Sequence, residues 1–195
     1  VFLMGEDVGH VVRNLEDPPA SGQPDHYDDY DTLGGSDHGG VHHNCSIMTK
    51  ALSLFTQGGS HHGLSVHPIG EYKARKIYYR LVTHEICDNP SMLSLATSAR
   101  HACEALPTVA SDYDCCQVRN AFAAVGLSVA DSDCDGITNA MENDDDDDGV
   151  SDVTDNCPNH VNPTQGDRDG DGIGNVCDAD IDGDVAHGLV VARVQ

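Results

Sequence analysis

The sequence predicts a mainly α-helical domain followed by an irregular, strongly acidic segment. Apolar residues recur at helical spacing in four stretches between residues 44 and 125, and short connections containing glycine or proline separate them. From Asp131 to Asp184 the chain carries 18 acidic residues against the single Arg168, which is −17 of the net −23 of all 195 residues. We therefore expect a helical domain at 1–130 and an acidic module at 131–184, with 185–195 unassigned.

Four amphipathic helices account for the first unit. We expect them at residues 44–57, 68–86, 91–106 and 114–125, each followed within four residues by glycine or proline. Burying one Leu, Ile or Phe contributes about 1.5–3 kcal/mol, so these apolar faces are sufficient for a packed core. The residues predicted to face that core are Ile47, Met48, Ala51, Leu52, Phe55, Ala74, Ile77, Tyr78, Leu81, Val82, Leu95, Ala99, Ala102, Leu106, Val118, Ala121, Phe122 and Val125.

The charge and the cysteine content restrict the class of protein. A surface this acidic repels phosphates, so nucleic acid is not expected as a partner. Eight cysteines without a Cys-x-x-Cys pair favour disulfides, and hence a secreted, extracellular protein. No apolar run approaches the ~20 residues of a membrane span. The first residues show neither a signal peptide nor an initiator methionine, which predicts a fragment or a processed product.

A glycine-containing loop before the first helix carries an acid and a histidine. Gly39-Gly40 allows turn conformations that bring Asp37 back toward His42. A carboxylate that accepts a hydrogen bond from one imidazole nitrogen fixes the ring and favours its protonated form. The other nitrogen then stabilises negative charge that develops on a substrate. Asp37 and His42 are therefore the predicted catalytic pair.

The acidic segment repeats one spacing of aspartates. Calcium prefers about six to eight oxygens, which carboxylates at loop positions one, three, five and twelve and a carbonyl at seven provide, with glycine at six for the turn. Without a cation, two carboxylates ~4 Å apart repel by about 4 kcal/mol at an effective dielectric of ~20. The predicted calcium ligands are Asp131, Asp133, Asp135, Ile137 and Glu142; Asp144, Asp146, Asp148, Val150 and Asp155; Asp167, Asp169, Asp171, Ile173 and Asp178; and Asp178, Asp180 and Asp182 of a fourth loop that has Leu189 in its last position.

Two histidine patterns are not interpreted as metal sites. His84-Glu85 has the start of a His-Glu-x-x-His zinc helix, but the fifth position is Asp88. His61 and His62 have no third ligand at a useful spacing, so we expect them on the surface. No zinc ligand is therefore predicted in this chain.

The loop and the first helix resemble the carboxy-terminal domain of the thermolysin-like (M4) zinc metallopeptidases. The pattern Asp-x-Gly-Gly-Val-His-x-Asn begins at Asp37, and Ile-x-x-Lys-Ala and Gln-Gly-Gly follow it. The resemblance implies that zinc-bound water attacks a peptide carbonyl, that His42 stabilises the resulting oxyanion and that Asp37 orients His42. One departure is Cys45-Ser46, where the family usually has Ser-Gly.

The same resemblance assigns roles to three residues near the start of the chain. Arg13 corresponds to an arginine that hydrogen-bonds a substrate carbonyl, a task suited to a rigid, always charged guanidinium. Val12 would line the apolar pocket for the following side chain, and Glu6 corresponds to a calcium-binding glutamate. The zinc ligands of the family lie upstream, so the resemblance implies that sequence outside this chain binds zinc and that this chain alone is inactive.

The acidic segment resembles thrombospondin type 3 repeats, in which short and long calcium units alternate around a core of metal ions. The steps from Asp131 to Asp144 and from Asp144 to Asp167 fit that alternation, as does the Asp-Asn-Cys-Pro sequence between the last two. The resemblance therefore implies a module that depends on calcium for its shape.

The resemblances also imply two disulfides. In the repeats, Cys157 would pair with Cys177. Relatives of the helical domain close a bridge from the third helix to the end of the domain, which implies that Cys103 pairs with Cys134. The partners of Cys45, Cys87, Cys115 and Cys116 stay open.

Two functions are compatible with these patterns. The first is the carboxy-terminal part of a secreted zinc metalloendopeptidase that acts on proteins or peptides, with a calcium-binding module that contacts extracellular matrix or a cell surface. The second is a non-catalytic extracellular calcium-binding or adhesion module derived from a peptidase. An in-frame His-Glu-x-x-His upstream would favour the first, and translation that begins near Val1 would favour the second.

Overall fold

The computed structural model describes residues 3–4, 13–86 and 90–183. Regular structure lies almost entirely before residue 125, and no described helix is long and apolar enough to cross a membrane. The helices are α1 (Asp37–Gln57), α2 (Glu71–Arg80), α3 (Met92–Glu104) and α4 (Asp112–Ala124). The strands are β1 (Leu3–Met4) and β2 (Arg13–Asn14), which pair antiparallel, and β3 (Gly59–His61) and β4 (Leu64–Val66), which form a hairpin.

The core lies where α4 packs against α1, α3 and β4. Ile47 of α1, Ile77 of α2 and Val118 of α4 are completely buried. The rings of Phe55 and Phe122 meet across the α1–α4 contact, with their centroids 6.4 Å apart. The predicted fold class, a mainly helical domain followed by an irregular segment, is confirmed.

Two helices differ from their predicted bounds because of local backbone conformation. α1 begins at Asp37 rather than at residue 44, but it becomes regular only after Gly40, since Asp37 to Gly40 all have positive φ. α2 begins after Gly70, whose φ is +83°, and continues after Arg80 as a π-helical turn at Leu81–Glu85. The α-helix is therefore shorter than the predicted helix over 68–86, and it ends in a π-helical turn.

Tyr78 and Val82 do not face the core as predicted. They are 50% and 44% exposed, because α2 and the turn after it direct Ile77 and Leu81 inward instead. Together with Leu15 and Leu52 they line an apolar groove of about 520 Å³ between α1 and α2.

The two adjacent cysteines of α4, Cys115 and Cys116, form disulfides with different parts of the chain. Cys103 of α3 pairs with Cys115, and Cys116 pairs with Cys134, so the predicted Cys103–Cys134 pair is wrong. Successive residues of an α-helix point about 100° apart, which lets one cysteine face α3 and the next face the acidic segment. Cys157 pairs with Cys177, as expected. Cys45 is a free thiol, and Cys87 lies outside the described residues.

The acidic segment is attached to α4 at its first residue. The Asp131 backbone N–H donates to Asn120 Oδ1 at 3.0 Å, and Asn120 Nδ2 donates to the Asp131 carbonyl at 2.6 Å. The Arg119 guanidinium forms an ion pair with the Asp131 carboxylate, which is almost completely buried. The Cys116–Cys134 disulfide closes the same junction from the other side.

The buried position of Ile77 predicts a large loss of stability on truncation. We expect Ile77→Ala to lower the free energy of unfolding by about 2–5 kcal/mol, because the change leaves a cavity in the core. Ile86→Ala is the matched control, since Ile86 is 40% exposed, and we expect it to cost about 1 kcal/mol or less. Urea unfolding of the oxidised chain in calcium measures both values, and equal losses for the two variants would contradict the described core.

Candidate functional site

The loop that begins α1 is held in an unusual backbone conformation. Asp37 and His38 have φ of +52° and +51°, and Gly39 and Gly40 have φ of +83° and +80°. A Cβ on Gly40 would lie 2.2 Å from the carbonyl oxygen of Asp31, so the position also requires glycine for space. The loop is thus shaped by its glycines, as the sequence indicated.

Asn44 fixes this loop from the other side. Its side chain is buried and bonds the backbone of Asp31 twice, with Nδ2 donating to the carbonyl at 2.7 Å and Oδ1 accepting from the N–H at 3.0 Å. The next turn of α1 is anchored by Ser46, whose hydroxyl donates to the Pro24 carbonyl at 2.6 Å. Two neighbouring segments therefore hold the start of α1 in place.

Asp37 and His42 face each other across the turn. One carboxylate oxygen of Asp37 lies 2.5 Å from His42 Nδ1, and the other accepts the backbone N–H groups of His42 at 2.9 Å and His43 at 3.2 Å. The hydrogen bond from the His42 side chain lowers the pKa of Asp37, so Asp37 is negatively charged at neutral pH. The His42 side chain is 74% exposed, which leaves its second ring nitrogen accessible.

Arg13 of β2 joins the same site. Its guanidinium donates to the carbonyl of His42 at 2.7 Å and contacts the Sγ of Cys45 at 2.5 Å. The departure at Cys45 thus places a thiol beside the guanidinium while the turn is retained. The structure brings together Arg13, Asp37 and His42, whereas Val12 and Glu6 lie outside the described residues.

This arrangement combines a fixed imidazole with a nearby cation. A ring held through Nδ1 by a carboxylate presents its other nitrogen in one direction, and that nitrogen donates a hydrogen bond when the ring is protonated. A pre-oriented donor of this kind stabilises an oxyanion without reorganising in the course of the reaction. The site is therefore suited to a reaction in which negative charge develops on a carbonyl oxygen.

Three acidic loops share one hydrogen-bonding pattern. The aspartate at position one accepts the N–H of the glycine at position six, at 3.2, 3.0 and 3.0 Å in the three loops. The aspartate at position three accepts the N–H of the residue at position five, at 3.0, 3.2 and 3.3 Å in the three loops. The aspartate at position five accepts the N–H of the residue at position seven, at 2.6, 2.8 and 2.8 Å. In each loop the three carboxylates converge, with one oxygen of each within 4.8 Å of the others; the sets are Asp131, Asp133 and Asp135; Asp144, Asp146 and Asp148; and Asp167, Asp169 and Asp171.

Buried carboxylate oxygens without a protein partner show that these loops fit a cation. Burial raises the pKa of Asp146 to about 6, with a further contribution from Asp148. Burial also raises the pKa of Glu142, and Asp133 and Asp135 add to the shift. A hard divalent cation with oxygen ligands would satisfy such groups, and calcium prefers this donor set. Within the described residues, the unpartnered buried oxygens of the segment are Asp131 Oδ1, Glu142 Oε1, Asp145 Oδ1, Asp146 Oδ2 and Asp178 Oδ2.

The set of acidic residues differs from the sequence prediction in two ways. Asp178, Asp180 and Asp182, all described, do not form a converging group like those of the first three loops, and Leu189 lies outside the described residues. The sequence prediction did not include Asp145 and Asp152, which lie beside Glu142. The Asp145 N–H donates to Asp152 Oδ1 at 2.9 Å. Both carboxylates raise the pKa of Glu142, although burial and the charges of Asp133 and Asp135 raise it more. The only signal in the sequence was the unbroken run of aspartates around Asp145.

Comparison with known proteins agrees with both halves of the chain. Residues 1–127 match the family model described as thermolysin metallopeptidase, alpha-helical domain, and residues 130–165 and 166–188 match the thrombospondin type 3 repeat. Neutral protease B of Bacillus subtilis is 38% identical over 130 residues, which is 64% of this chain and 24% of that protein. Bacillolysin of Brevibacillus brevis is 46% identical over 89 residues, 43% of this chain and 17% of that protein.

A thermolysin of Alicyclobacillus acidocaldarius is 37% identical over 131 residues, 64% of this chain and 23% of that protein. The chain thus spans about a sixth to a quarter of the length of these curated relatives. The family model covers well over half of the chain, and the loop of Asp37 and His42 lies within the matched region. The chain belongs to the thermolysin (M4) metallopeptidase family, of which it contains the α-helical domain, and thrombospondin type 3 repeats follow that domain.

Proposed function

We propose that this chain is the carboxy-terminal part of a secreted zinc metalloendopeptidase and supplies the groups that stabilise the oxyanion. The observation that carries the proposal is the 2.5 Å contact between His42 Nδ1 and Asp37, on a ring that is otherwise exposed. Membership of the thermolysin family supports peptide-bond hydrolysis as the reaction.

The residues of this chain would act on the substrate carbonyl. His42, oriented by Asp37, would donate a hydrogen bond from its free nitrogen to the oxygen on which negative charge accumulates. Arg13 would hold a neighbouring carbonyl of the substrate, because its guanidinium has several donors and only part of them contact His42 and Cys45. Val12 would line the pocket beside it.

Zinc would supply the activated water in the complete enzyme. The printed sequence contains no His-Glu-x-x-His, and no cluster in the loop of Asp37 and His42 offers a catalytic zinc ligand set. We therefore propose that the catalytic zinc is bound by sequence outside this chain. For the same reason we expect the 195-residue chain alone to leave casein intact when zinc is added, and cleavage that a zinc chelator blocks would contradict this.

Three disulfides support an oxidising, extracellular location. Protein or peptide substrates follow from the family. The repeats would form a calcium-dependent module that contacts extracellular matrix or a cell surface, since their ligand side chains lie outside the helical core.

A non-catalytic extracellular calcium-binding module is the second candidate function. The observation that favours it is the repeated loop geometry of the acidic segment, which requires no catalytic partner. An in-frame zinc-binding helix in the parent gene would exclude it, and a parent protein without one would exclude the peptidase.

The role of His42 predicts a selective loss of turnover. In the complete peptidase that includes the zinc-binding half, we expect His42→Ala to lower kcat by about 10²–10³-fold with little change in KM, because the hydrogen bond strengthens only in the transition state. His38→Asn is the control, since His38 is exposed and asparagine tolerates its positive φ. Steady-state cleavage of a peptide substrate measures both parameters, and a similar loss in both variants would argue against the assigned role.

The buried charge of Asp146 predicts opposite effects with and without calcium. Its pKa is raised in the folded state, so ionisation opposes folding at pH 7, and this cost disappears as the pH falls through about 6 toward the usual 3.8. In a calcium chelator at pH 7 we expect Asp146→Asn to stabilise the repeats by roughly 1–3 kcal/mol. In calcium we expect the same variant to bind the ion more weakly, because a ligand is lost.

Asp147→Asn is the matched control, because Asp147 is the next residue but is exposed and outside the converging group. Thermal unfolding with chelator and with calcium measures both effects. A gain in the chelator that is equal for Asp146→Asn and Asp147→Asn would show that only net charge matters, which would contradict the ligand geometry.

A further inference from the structure

A fourth group of metal-ligating side chains lies outside the three acidic loops. It consists of Asp25, in the segment before the turn at Tyr27–Asp29, and His61 and His62 of the β3–β4 hairpin, and one ligand atom of each lies within 4.8 Å of the others. From the sequence alone, both histidines are expected on the surface without a third ligand. Asp25 precedes His61 by 36 residues, so no local spacing could reveal it.

The hairpin register determines where the two imidazoles point. His61 pairs with Leu64, which leaves His62-Gly63 as a two-residue turn in which both residues have positive φ, +47° and +80°. His61 at the end of β3 points back to Asp25, with Nε2 at 3.3 Å from the carbonyl oxygen and 3.9 Å from Oδ2. The hairpin thus directs two consecutive histidines toward one carboxylate.

His26 keeps the exposed His62 in position. The two rings stack with centroids 4.1 Å apart and an angle of 17°, and His61 meets His62 edge-on at 4.6 Å. His26 itself accepts the Asp28 N–H through Nδ1 and packs against Gly126, where a Cβ would lie 2.9 Å from the ring. Packing from the neighbouring segment therefore pre-orients a residue at a hairpin tip.

The surroundings of His61 combine burial with a nearby lysine. Burial, and then the positive charge of Lys50, lower the pKa of His61 to about 4. Lys50 Nζ donates to the Glu16 carbonyl at 2.7 Å. Burial lowers the pKa of Lys50, and the negative charges of Asp25, Asp17 and Glu16 raise it in that order, so the lysine charge is partly compensated.

Space for additional ligands is present beside the two histidines. A polar cavity of about 280 Å³ is lined by His61, His62 and the Cys157–Cys177 disulfide, together with Asn159 and His160 of the repeats. His160 Nε2 lies 3.2 Å from the Ser60 hydroxyl of β3. Water, or a side chain from this cavity, is therefore within reach of a metal held by the hairpin.

We propose that Asp25, His61 and His62 bind one first-row transition metal ion of the Zn²⁺ type, at a site separate from the catalytic zinc. Two imidazoles and one carboxylate suit zinc, copper or nickel, whereas calcium prefers oxygen alone. Tetrahedral zinc with bonds of about 2.0–2.1 Å requires ligand atoms roughly 3.4 Å apart. The three ligand atoms lie within 4.8 Å of one another, so they would approach by at most about 1.4 Å on binding. The site would link the β3–β4 hairpin to the segment before α1, next to the repeats.

Zinc titration of the 195-residue chain by calorimetry tests this site. Calcium is present at saturating concentration throughout, so that the acidic loops do not take up zinc. We expect one zinc ion per chain, and we expect His62→Asn to weaken its binding by about tenfold or more. His62 is exposed and asparagine tolerates its positive φ, so the variant should fold; unchanged thermal unfolding in calcium without zinc checks this.

His101→Asn is the control for loss of one histidine, because His101 is exposed on α3, away from the hairpin. We expect its zinc affinity to equal that of the unaltered chain. Co²⁺ in place of zinc should give the intense visible absorption of a tetrahedral site, and this signal should be absent in His62→Asn. Zinc binding with the same affinity and stoichiometry in His62→Asn, or no stoichiometric zinc in the unaltered chain, would overturn the proposal.

Discussion

Both parts of this protein depend on carboxylates that accept hydrogen bonds from backbone N–H groups of their own turn. Asp37 accepts the N–H groups of His42 and His43, and the first aspartate of each acidic loop accepts the N–H of the glycine five residues later. Each of these bonds requires a backbone with positive φ inside the turn, which glycine adopts at little cost. The turn fixes the direction of the carboxylate, which faces an imidazole in one case and two further carboxylates in the other.

The helical domain and the repeats are joined through α4. Asn120 bonds the backbone of Asp131 in both directions, Arg119 pairs with its carboxylate, and Cys116–Cys134 encloses a loop of about 18 residues, which is worth about 3 kcal/mol in the loop-entropy model. The first acidic loop is therefore held against α4 from its first residue. α4 is also the central helix of the core.

The sequence was sufficient to predict the features that depend on residues close together in the chain. Helix periodicity predicted the residues of α1 and α4 that face the core, and the spacing of Asp and Gly predicted the three converging loops. It was insufficient where contacts join distant segments. The pairing of Cys115 and Cys116 depends on which side of α4 each thiol occupies, and His61 finds Asp25 only because the β3–β4 hairpin folds back over the segment before α1. Asp145 and Asp152 meet because the chain folds back between them, and the Asp-x-Asp-x-Asp spacing does not predict this contact.

The loops differ in how far the protein itself compensates their charge. Asp131 and Asp146 each have one buried oxygen without a partner. Asp131 also has the Arg119 guanidinium against its carboxylate, whereas Asp146 is buried beside Asp148 and its pKa is raised to about 6. Repulsion between two carboxylates ~4 Å apart is about 4 kcal/mol at an effective dielectric of ~20. Without an ion this repulsion falls on the second loop more than on the first, which also has the disulfide and Asn120 to hold it. Charge compensation by a bound cation would therefore matter more for the chain beyond Asp144 than for the junction with α4.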